Sequence, residues 1–284
     1  MTRLIRSLSD ISSRYDALFC DLWGCVHNGK LAYPAAIAAL RAYRATGGTV
    51  VLLTNAPRPW EDVVPGFDRL GIPPDAYDLV VSSGDAAAEA LAAGMVGTKV
   101  YHIGPAKDDG LFRLALTVER VPLTDAQGIV CSGPFHEETE TPADYRGSFL
   151  LAQSMGLKML CANPDLVVDL GDRRIYCAGA LAQLYEQMGG QALYFGKPHA
   201  PIYQLARNRM ADPGIADDRI LCIGDGIGTD IAGGMAEGLD TLFVTGGLAA
   251  AEFGSDPEQP DPGRLQTWLD GQSLSPTAAI GRLR

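Results

Sequence analysis

Residues able to bind a metal ion and a phosphate group follow four short apolar stretches of this sequence. In chain order they are Asp21, the pair Thr54–Asn55, Lys197, and Asp225 with Asp230. Carboxylates and backbone oxygens are the donors that Mg²⁺ prefers, and a lysine with a threonine hydroxyl suits the oxygens of a phosphoryl group. Phosphoryl transfer requires this combination of positioning, metal and positive charge. The pattern predicts a phosphoryl-transfer site with Asp21 as the nucleophile.

Each of these residues also has an ordinary structural interpretation when it is taken alone. Asp is favoured at helix N-caps and in turns, so Asp21 by itself reads more readily as a cap. Most lysines are solvated, which would place Lys197 on the surface. Ligands of open α/β sheets bind at the carboxyl ends of the strands. Four such residues, each at the end of a predicted strand, therefore favour one shared site.

Alternating apolar runs and helical segments predict an α/β fold with a parallel sheet. After a short helical lead-in over residues 1–16, the first strand is expected at about Ala17–Cys20. A second α/β series then interrupts the sheet, which we expect to resume near residue 190. This arrangement brings Asp21 and Asp225 to one site although they are far apart in the sequence.

The composition argues against nucleic acid and anionic membranes as binding partners. The net charge is −11 over 284 residues, whereas both kinds of partner require clustered basic residues. No apolar stretch reaches the roughly 18 residues of a membrane-spanning helix, and the first fifteen residues do not resemble a signal peptide. The six cysteines form no C-x-x-C pair and read as small buried hydrophobes in a reducing compartment. We therefore expect a cytoplasmic protein.

The four motifs, in this order, resemble those of the haloacid dehalogenase-like (HAD) hydrolase superfamily. The most similar branch is class IIA, with its NagD-type and 4-nitrophenylphosphatase-like phosphatases, because Cys161–Asp165 and Gly179–Leu181 are similar to blocks typical of it. The resemblance covers nearly the whole chain. It implies a Rossmann-like parallel-sheet core over residues 1–83 and 183–284, and an inserted α/β cap domain of the C2 type over residues 84–182 that selects the substrate.

The resemblance also implies a role for each motif residue and a Mg²⁺ cofactor. The implied catalytic residues are Asp21, which would form an aspartyl-phosphate, and Lys197; the phosphate-binding residues are Thr54, Asn55 and Lys197; the metal ligands are Asp21, Asp225, Asp230 and the backbone carbonyl of Trp23. In the cap, Asn163 and Asp165 are expected to face the substrate. That substrate would be a small phosphorylated metabolite such as a sugar phosphate. A homodimer is compatible with the sequence, which does not fix the oligomeric state.

The chain departs from the family pattern at Trp23, where family phosphatases usually carry a second Asp as the general acid and base. An indole N–H cannot take up a proton, so a contribution of about 10²–10⁴-fold would be missing. His27 is a candidate substitute, because an unperturbed imidazole has a pKa of about 6.5; a histidine that lines the loop is the plainer interpretation.

Trp23 leaves two hypotheses open. One is a phosphomonoester hydrolase that favours good leaving groups. The other is a catalytically impaired protein with the same scaffold, which binds a phosphate ligand or has a regulatory role. The retention of Asp21, Lys197 and the metal carboxylates together favours the enzyme.

Overall fold

Strands and helices alternate along most of the chain in the computed structural model, which describes residues 2–170 and 173–284. The strands are β1 (Arg3–Leu4), β2 (Ala17–Cys20), β3 (Thr49–Thr54), β4 (Leu79–Ser82), β5 (Lys99–Ile103), β6 (Glu119–Arg120), β7 (Gly128–Cys131), β8 (Lys158–Cys161), β9 (Val167–Leu170), β10 (Arg173–Tyr176), β11 (Gln191–Tyr194), β12 (Ile220–Gly224), β13 (Asp240–Val244) and β14 (Ala278–Ile280). The α-helices are α1 (Pro34–Ala45), α2 (Trp60–Val63), α3 (Phe67–Leu70), α4 (Ser83–Ala92), α5 (Arg146–Ser154), α6 (Ala178–Gln187), α7 (Ala200–Arg209), α8 (Ala232–Ala236) and α9 (Pro262–Gln272). None of the described helices is both long enough and apolar enough to cross a bilayer.

The chain is divided between two compact units. Unit 1 comprises Met1–Thr54, Pro65–Val80 and Tyr203–Arg284, and unit 2 comprises Asn55–Val64 and Val81–Ile202. The boundaries of a cap domain at residues 84 and 182, with the core domain on either side, stay a prediction.

The larger sheet carries the strand that precedes Asp21. Within the described residues its order is β1-β14-β13-β12-β2-β3-β4. Strand β2 pairs in parallel with both β12 and β3, so that Cys20 lies opposite Ile223 on one side and Leu52 on the other. Ala17–Cys20 is fully buried, as expected for a central parallel strand covered on both faces. The predicted α/β fold with a parallel sheet is confirmed.

The second sheet has the order β11-β8-β7-β5-β6 among the described residues, and the pairs along it are parallel. One face packs against α5 and α6, where Phe149 and Tyr185 belong to the same buried cluster as Ile129 and Met159 of the strands. Strands β9 and β10 form a separate antiparallel pair.

The expectation that the first sheet resumes near residue 190 is wrong. The strand found there, β11, pairs with β8 of the second sheet, with Tyr194 opposite Cys161. The first sheet resumes only at Ile220. Helix α6 connects β8 back to a neighbouring parallel strand, as a βαβ crossover does. An apolar run of four residues has the same pattern in either sheet, so the sequence alone could not assign it.

Unit 2 contains a buried carboxylate, Asp108, without an ordinary hydrogen-bond partner. It lies in the 3₁₀ segment Ala106–Phe112. Its side chain is fully buried, with the Nε atom of Arg58 at 3.8 Å from Oδ1, and neither carboxylate oxygen has a partner at hydrogen-bonding geometry. Burial raises the pKa of Asp108 to about 6, against smaller lowering effects of Ser132, Lys107 and Arg58. The charged form of the Asp108 carboxylate therefore lowers the stability of the folded state at neutral pH.

Asp108→Asn is expected to stabilise the protein at neutral pH. An unfolded Asp titrates near pH 4, so the favourable contribution of the protonated form is complete below that pH and is lost as the pH rises through about 6. By linkage, the resulting loss in the free energy of unfolding is at most about 3 kcal/mol. Thermal unfolding is measured from pH 4 to 8. The melting temperature of the variant should exceed that of the wild type at pH 7.5, and the difference should disappear near pH 4.

The exposed neighbour Asp109, which pairs with Arg120, provides the control substitution Asp109→Asn. That variant should not acquire this pH dependence. A lower melting temperature for Asp108→Asn at pH 7.5 would contradict the prediction, because it would mean that the ion pair with Arg58 outweighs the cost of burial.

Candidate active site

Three of the sequence-predicted residues lie at the ends of adjacent strands in unit 1. Asp21 follows β2 directly, and its N–H donates to the carbonyl of Ile223 in β12 at 2.8 Å. Thr54 is the last residue of β3, and Asp225 directly follows β12. All three are buried, with exposed fractions of 8%, 9% and 4% respectively. The sheet order β12-β2-β3 thus places them at one edge of the sheet.

Two glycines permit the close approach of backbone to the Asp225 carboxylate. A Cβ atom on Gly24 would lie 2.0 Å from Asp225 Oδ2, and one on Gly247 would lie 1.9 Å from the same oxygen. Gly24 also has a φ of +79°, which disfavours any residue with a side chain. The same Oδ2 atom accepts a hydrogen bond of 2.8 Å from the N–H of Leu248. The position of this carboxylate is therefore fixed by surrounding backbone.

Asp21 and Asp225 form a cluster with Cys25 that could hold a metal ion. One ligand atom from each of the three side chains lies within 4.8 Å of the other two. Cys25 is buried, and burial together with the charges of Asp225 and Asp21 raises the pKa of its thiol well above the usual range. The two carboxylates are hard oxygen donors that fit Mg²⁺, whereas a neutral thiol is not a donor of that kind.

The sequence predicts Cys25 only as a small buried hydrophobe. It reaches the carboxylates because the chain turns back on itself after Asp21: the N–H groups of Val26 and His27 donate to the carbonyl of Leu22. Its spacing of four residues from Asp21, in a segment that contains glycine, was the available signal.

Asp230 supports the loop that follows Asp225. It lies in the helical turn Ile227–Ile231, and its Oδ2 accepts hydrogen bonds from the N–H of Gly226 at 3.1 Å and the hydroxyl of Thr229 at 3.4 Å. Among the described residues it does not belong to the cluster of Asp21, Cys25 and Asp225. Its predicted role as a metal ligand stays a prediction, as does that of the backbone carbonyl of Trp23.

The indole of Trp23 packs against the loop that follows it. Its ring and that of His27 meet edge to face, with centroids 5.2 Å apart. A Cβ on Gly29 would lie 2.5 Å from Cη2 of the indole, so the absence of a side chain there leaves the room for the ring. The half-buried indole is thus held by its own loop.

His27 is uncharged at neutral pH. Burial lowers its pKa to about 4, and its Nδ1 accepts a hydrogen bond of 2.9 Å from the N–H of Gly29. From that bond we assign the ring proton to Nε2. A histidine with this pKa is a poor proton donor at pH 7, so the geometry does not favour the predicted acid–base role, which stays a prediction.

In unit 2 a hydrogen-bond network joins four other predicted residues. The Asn55 amide nitrogen donates to Asp165 Oδ1 at 2.9 Å and to the carbonyl of Lys197 at 3.0 Å, and its Oδ1 accepts from the N–H of Lys197 at 2.7 Å. Asn163 Oδ1 accepts from the N–H of Asp165 at 3.0 Å. Lys197 is only 2% exposed, so it is not a surface lysine.

This network shows how the Asn55 side chain is used. Both protons of its amide are taken by partners within unit 2, so the side chain positions the loop of Lys197. A Cβ on Gly196 would lie 2.5 Å from Asn55 Oδ1, which explains a glycine before the lysine. The phosphate-binding roles of Thr54, Asn55 and Lys197 and the substrate contacts of Asn163 and Asp165 stay predictions.

Comparison with known proteins agrees with the parallel-sheet fold. A family model described as "Haloacid dehalogenase-like hydrolase" matches residues 18–115, and one described as "HAD-hydrolase-like" matches residues 194–264. The crystal structure of a hydrolase of the haloacid dehalogenase-like family from Brucella suis 1330 is 41% identical to this chain. It covers 99% of this chain and 100% of its own, with a TM-score of 0.85.

Two further relatives are more distant. The ribonucleotide monophosphatase NagD of Escherichia coli (strain K12) is 26% identical over 239 residues, which is 83% of this chain and 89% of that protein. The crystal structure of a possible sugar phosphatase from Cytophaga hutchinsonii is 21% identical, covers 99% of both chains and has a TM-score of 0.77; at this identity it supports the fold alone.

The fold is that of an α/β protein with buried carboxylates at the carboxyl ends of parallel strands. The chain belongs to the haloacid dehalogenase-like hydrolase family. The resemblance seen in its sequence motifs is confirmed.

Proposed function

We propose that this protein is a Mg²⁺-dependent phosphomonoester hydrolase that acts on a small phosphorylated metabolite through an aspartyl-phosphate on Asp21. The observation that supports this proposal most strongly is the buried pair of Asp21 and Asp225 at adjacent strand ends, with ligand atoms within 4.8 Å of each other. Support also comes from the curated relative NagD, whose name is that of a ribonucleotide monophosphatase. A sugar phosphate is the substrate class we favour.

The proposed reaction has two steps. A carboxylate oxygen of Asp21 attacks phosphorus, and the bond between phosphorus and the leaving-group oxygen breaks. Water then attacks the aspartyl-phosphate, which releases inorganic phosphate and restores the carboxylate. Mg²⁺, held by Asp21 and Asp225 with the proposed help of Asp230 and the Trp23 carbonyl, would neutralise charge on the phosphoryl oxygens. We assign Thr54 and Lys197 to the same oxygens; Asn55, whose amide protons are both taken within unit 2, would reach them through its backbone N–H.

The substitution at Trp23 narrows the substrates that this chemistry can use. A leaving alkoxide needs a proton, and neither an indole nor a neutral His27 with a pKa of about 4 supplies one readily. Leaving groups that are stable as anions avoid this requirement. Aryl phosphates such as p-nitrophenyl phosphate should therefore react faster than alkyl phosphates.

The second candidate is a phosphate-ligand binding or regulatory protein that has lost turnover. The observation in its favour is the way the loop accommodates the indole at this position, with Gly29 and His27 packed against it. Such a protein would gain thermal stability with its ligand and release no phosphate. A cytoplasmic location and a homodimer stay predictions under both candidates.

Metal dependence tests the proposed function directly. Metal-free protein is assayed for phosphate release with p-nitrophenyl phosphate and a panel of sugar and nucleoside monophosphates, with and without added Mg²⁺. We expect release that depends on Mg²⁺, falls to background with a chelator and returns on addition of excess Mg²⁺. Ligand-induced stabilisation without turnover anywhere in the panel would instead support the binding protein, and activity that survives the chelator would contradict a metal-dependent enzyme.

A further inference from the structure

The Cys25 thiol is a third potential metal ligand beside the two carboxylates, and the proposed Mg²⁺ chemistry makes no use of it. Its Sγ atom lies within 4.8 Å of a carboxylate oxygen of Asp21 and of Asp225. All three residues are buried, and Cys25 is 1% exposed. The centre therefore combines two hard donors and one soft donor.

Local backbone structure keeps Cys25 at this position. The turn is closed by hydrogen bonds from Val26 N–H to the Leu22 carbonyl at 2.8 Å and from Gly24 N–H to the His27 carbonyl at 2.8 Å. Gly24 also packs closely against Asp225, since a Cβ atom at position 24 would lie 2.0 Å from Asp225 Oδ2. Since the residues on both sides of Cys25 are held by these contacts, its Cα stays beside the carboxylates, and rotation about the Cα–Cβ bond is the freedom left to the thiol.

The donor set suits a different class of metal ion from Mg²⁺. Zn²⁺ and related ions accept thiolate and carboxylate together, with bonds of about 2.3 Å to sulfur and about 2.0–2.2 Å to oxygen. Ligand atoms around one tetrahedral ion then lie roughly 3.5 Å apart. The trio of Asp21, Cys25 and Asp225 is within a small side-chain adjustment of that spacing, and three protein ligands leave a fourth position open for water.

We propose that Cys25 makes this centre a second kind of metal site, in which Zn²⁺ or Cd²⁺ binds Asp21, Cys25 and Asp225 in place of Mg²⁺. On binding, the S–H bond of Cys25 breaks, a sulfur–metal bond forms and the proton passes to solvent. Because this ion would take the two carboxylates proposed to hold Mg²⁺, it would compete with Mg²⁺ for the site. The inference rests on the proposed function only for the metal-binding role of Asp21 and Asp225.

Optical titration tests the sulfur ligand without any assay of activity. Metal-free full-length protein is titrated with Cd²⁺ while the thiolate-to-cadmium charge-transfer absorption is recorded. The wild type should show a band that saturates at one ion per chain. Cys25→Ser keeps the size of the side chain and replaces sulfur by oxygen; it should lack the band, and its Zn²⁺ affinity by chelator competition should fall by about 10–100-fold or more.

Cys177→Ser is the matched control. Cys177 is also buried, but it lies in unit 2 at the N-cap of α6, where serine is a favoured residue. This variant should keep the wild-type band and Zn²⁺ affinity. Circular dichroism and a melting temperature for each variant establish that it is folded.

Two results would overturn the inference: no charge-transfer band in the wild type, or an unchanged band and Zn²⁺ affinity in folded Cys25→Ser. The failure of the proposed function looks different. In that case the band would be present and lost in Cys25→Ser, while no substrate releases phosphate with Mg²⁺.

Discussion

Asp21→Asn should lower the rate of phosphate release by at least about 10⁴-fold, which is the scale of effect when a covalent nucleophile is removed. The amide has nearly the same shape, and the backbone hydrogen bond from residue 21 to the Ile223 carbonyl is retained. The amide lacks the nucleophilic carboxylate oxygen, however. The substitution also removes one negative charge from the cluster with Asp225. The measurement is kcat for p-nitrophenyl phosphate at saturating Mg²⁺.

Acid-quenched reactions add a direct readout of the intermediate. The wild type should retain labelled phosphate on the protein in a base-labile form, and Asp21→Asn should retain none. Asp75→Asn, an exposed carboxylate of unit 1 that pairs with Arg41, controls for the general effect of replacing Asp by Asn and should keep wild-type activity. Equal rates for Asp21→Asn and the wild type would refute the nucleophile assignment.

The strand-end residues illustrate what the sequence can predict. Asp21, Thr54 and Asp225 each follow an apolar run, and parallel strands present their carboxyl ends at a common edge. Their convergence therefore depends only on which strands are neighbours, and β2 does lie between β12 and β3. The family motifs predicted that these residues share one site, whereas the order of the strands comes from the structure alone.

Cys25 and β11 show where the sequence is insufficient. The position of Cys25 beside the carboxylates depends on a turn closed by backbone hydrogen bonds, and its spacing of four residues from Asp21 is too weak a signal to predict that turn. The sequence cannot assign strand β11 to the second sheet, because both sheets accept short apolar parallel strands. The hydrogen bonds of the Asn55 amide also depend on tertiary structure, because its partners Asp165 and Lys197 are more than a hundred residues away in the sequence.

Trp23→Asp is expected to have the second largest effect, and the effect should depend on the leaving group. The substitution provides a carboxyl group at the position where the resemblance to the family predicts a general acid. If proton donation limits the wild type, kcat/KM for alkyl phosphates should rise by about 10²–10⁴-fold. p-Nitrophenyl phosphate should change far less, because its leaving group is stable without a proton.

The informative measurement is the dependence of kcat/KM on leaving-group pKa across a series of phosphate esters, which should be steep in the wild type and flatter in Trp23→Asp. Trp23→Phe separates the carboxyl group from the loss of the indole, since it keeps an aromatic ring near His27 and Gly29 and should keep the steep dependence. Melting temperatures for both variants exclude unfolding as a cause. An unchanged slope in folded Trp23→Asp would mean that proton donation is not what limits this enzyme, and the reading of Trp23 as a lost general acid would then be wrong.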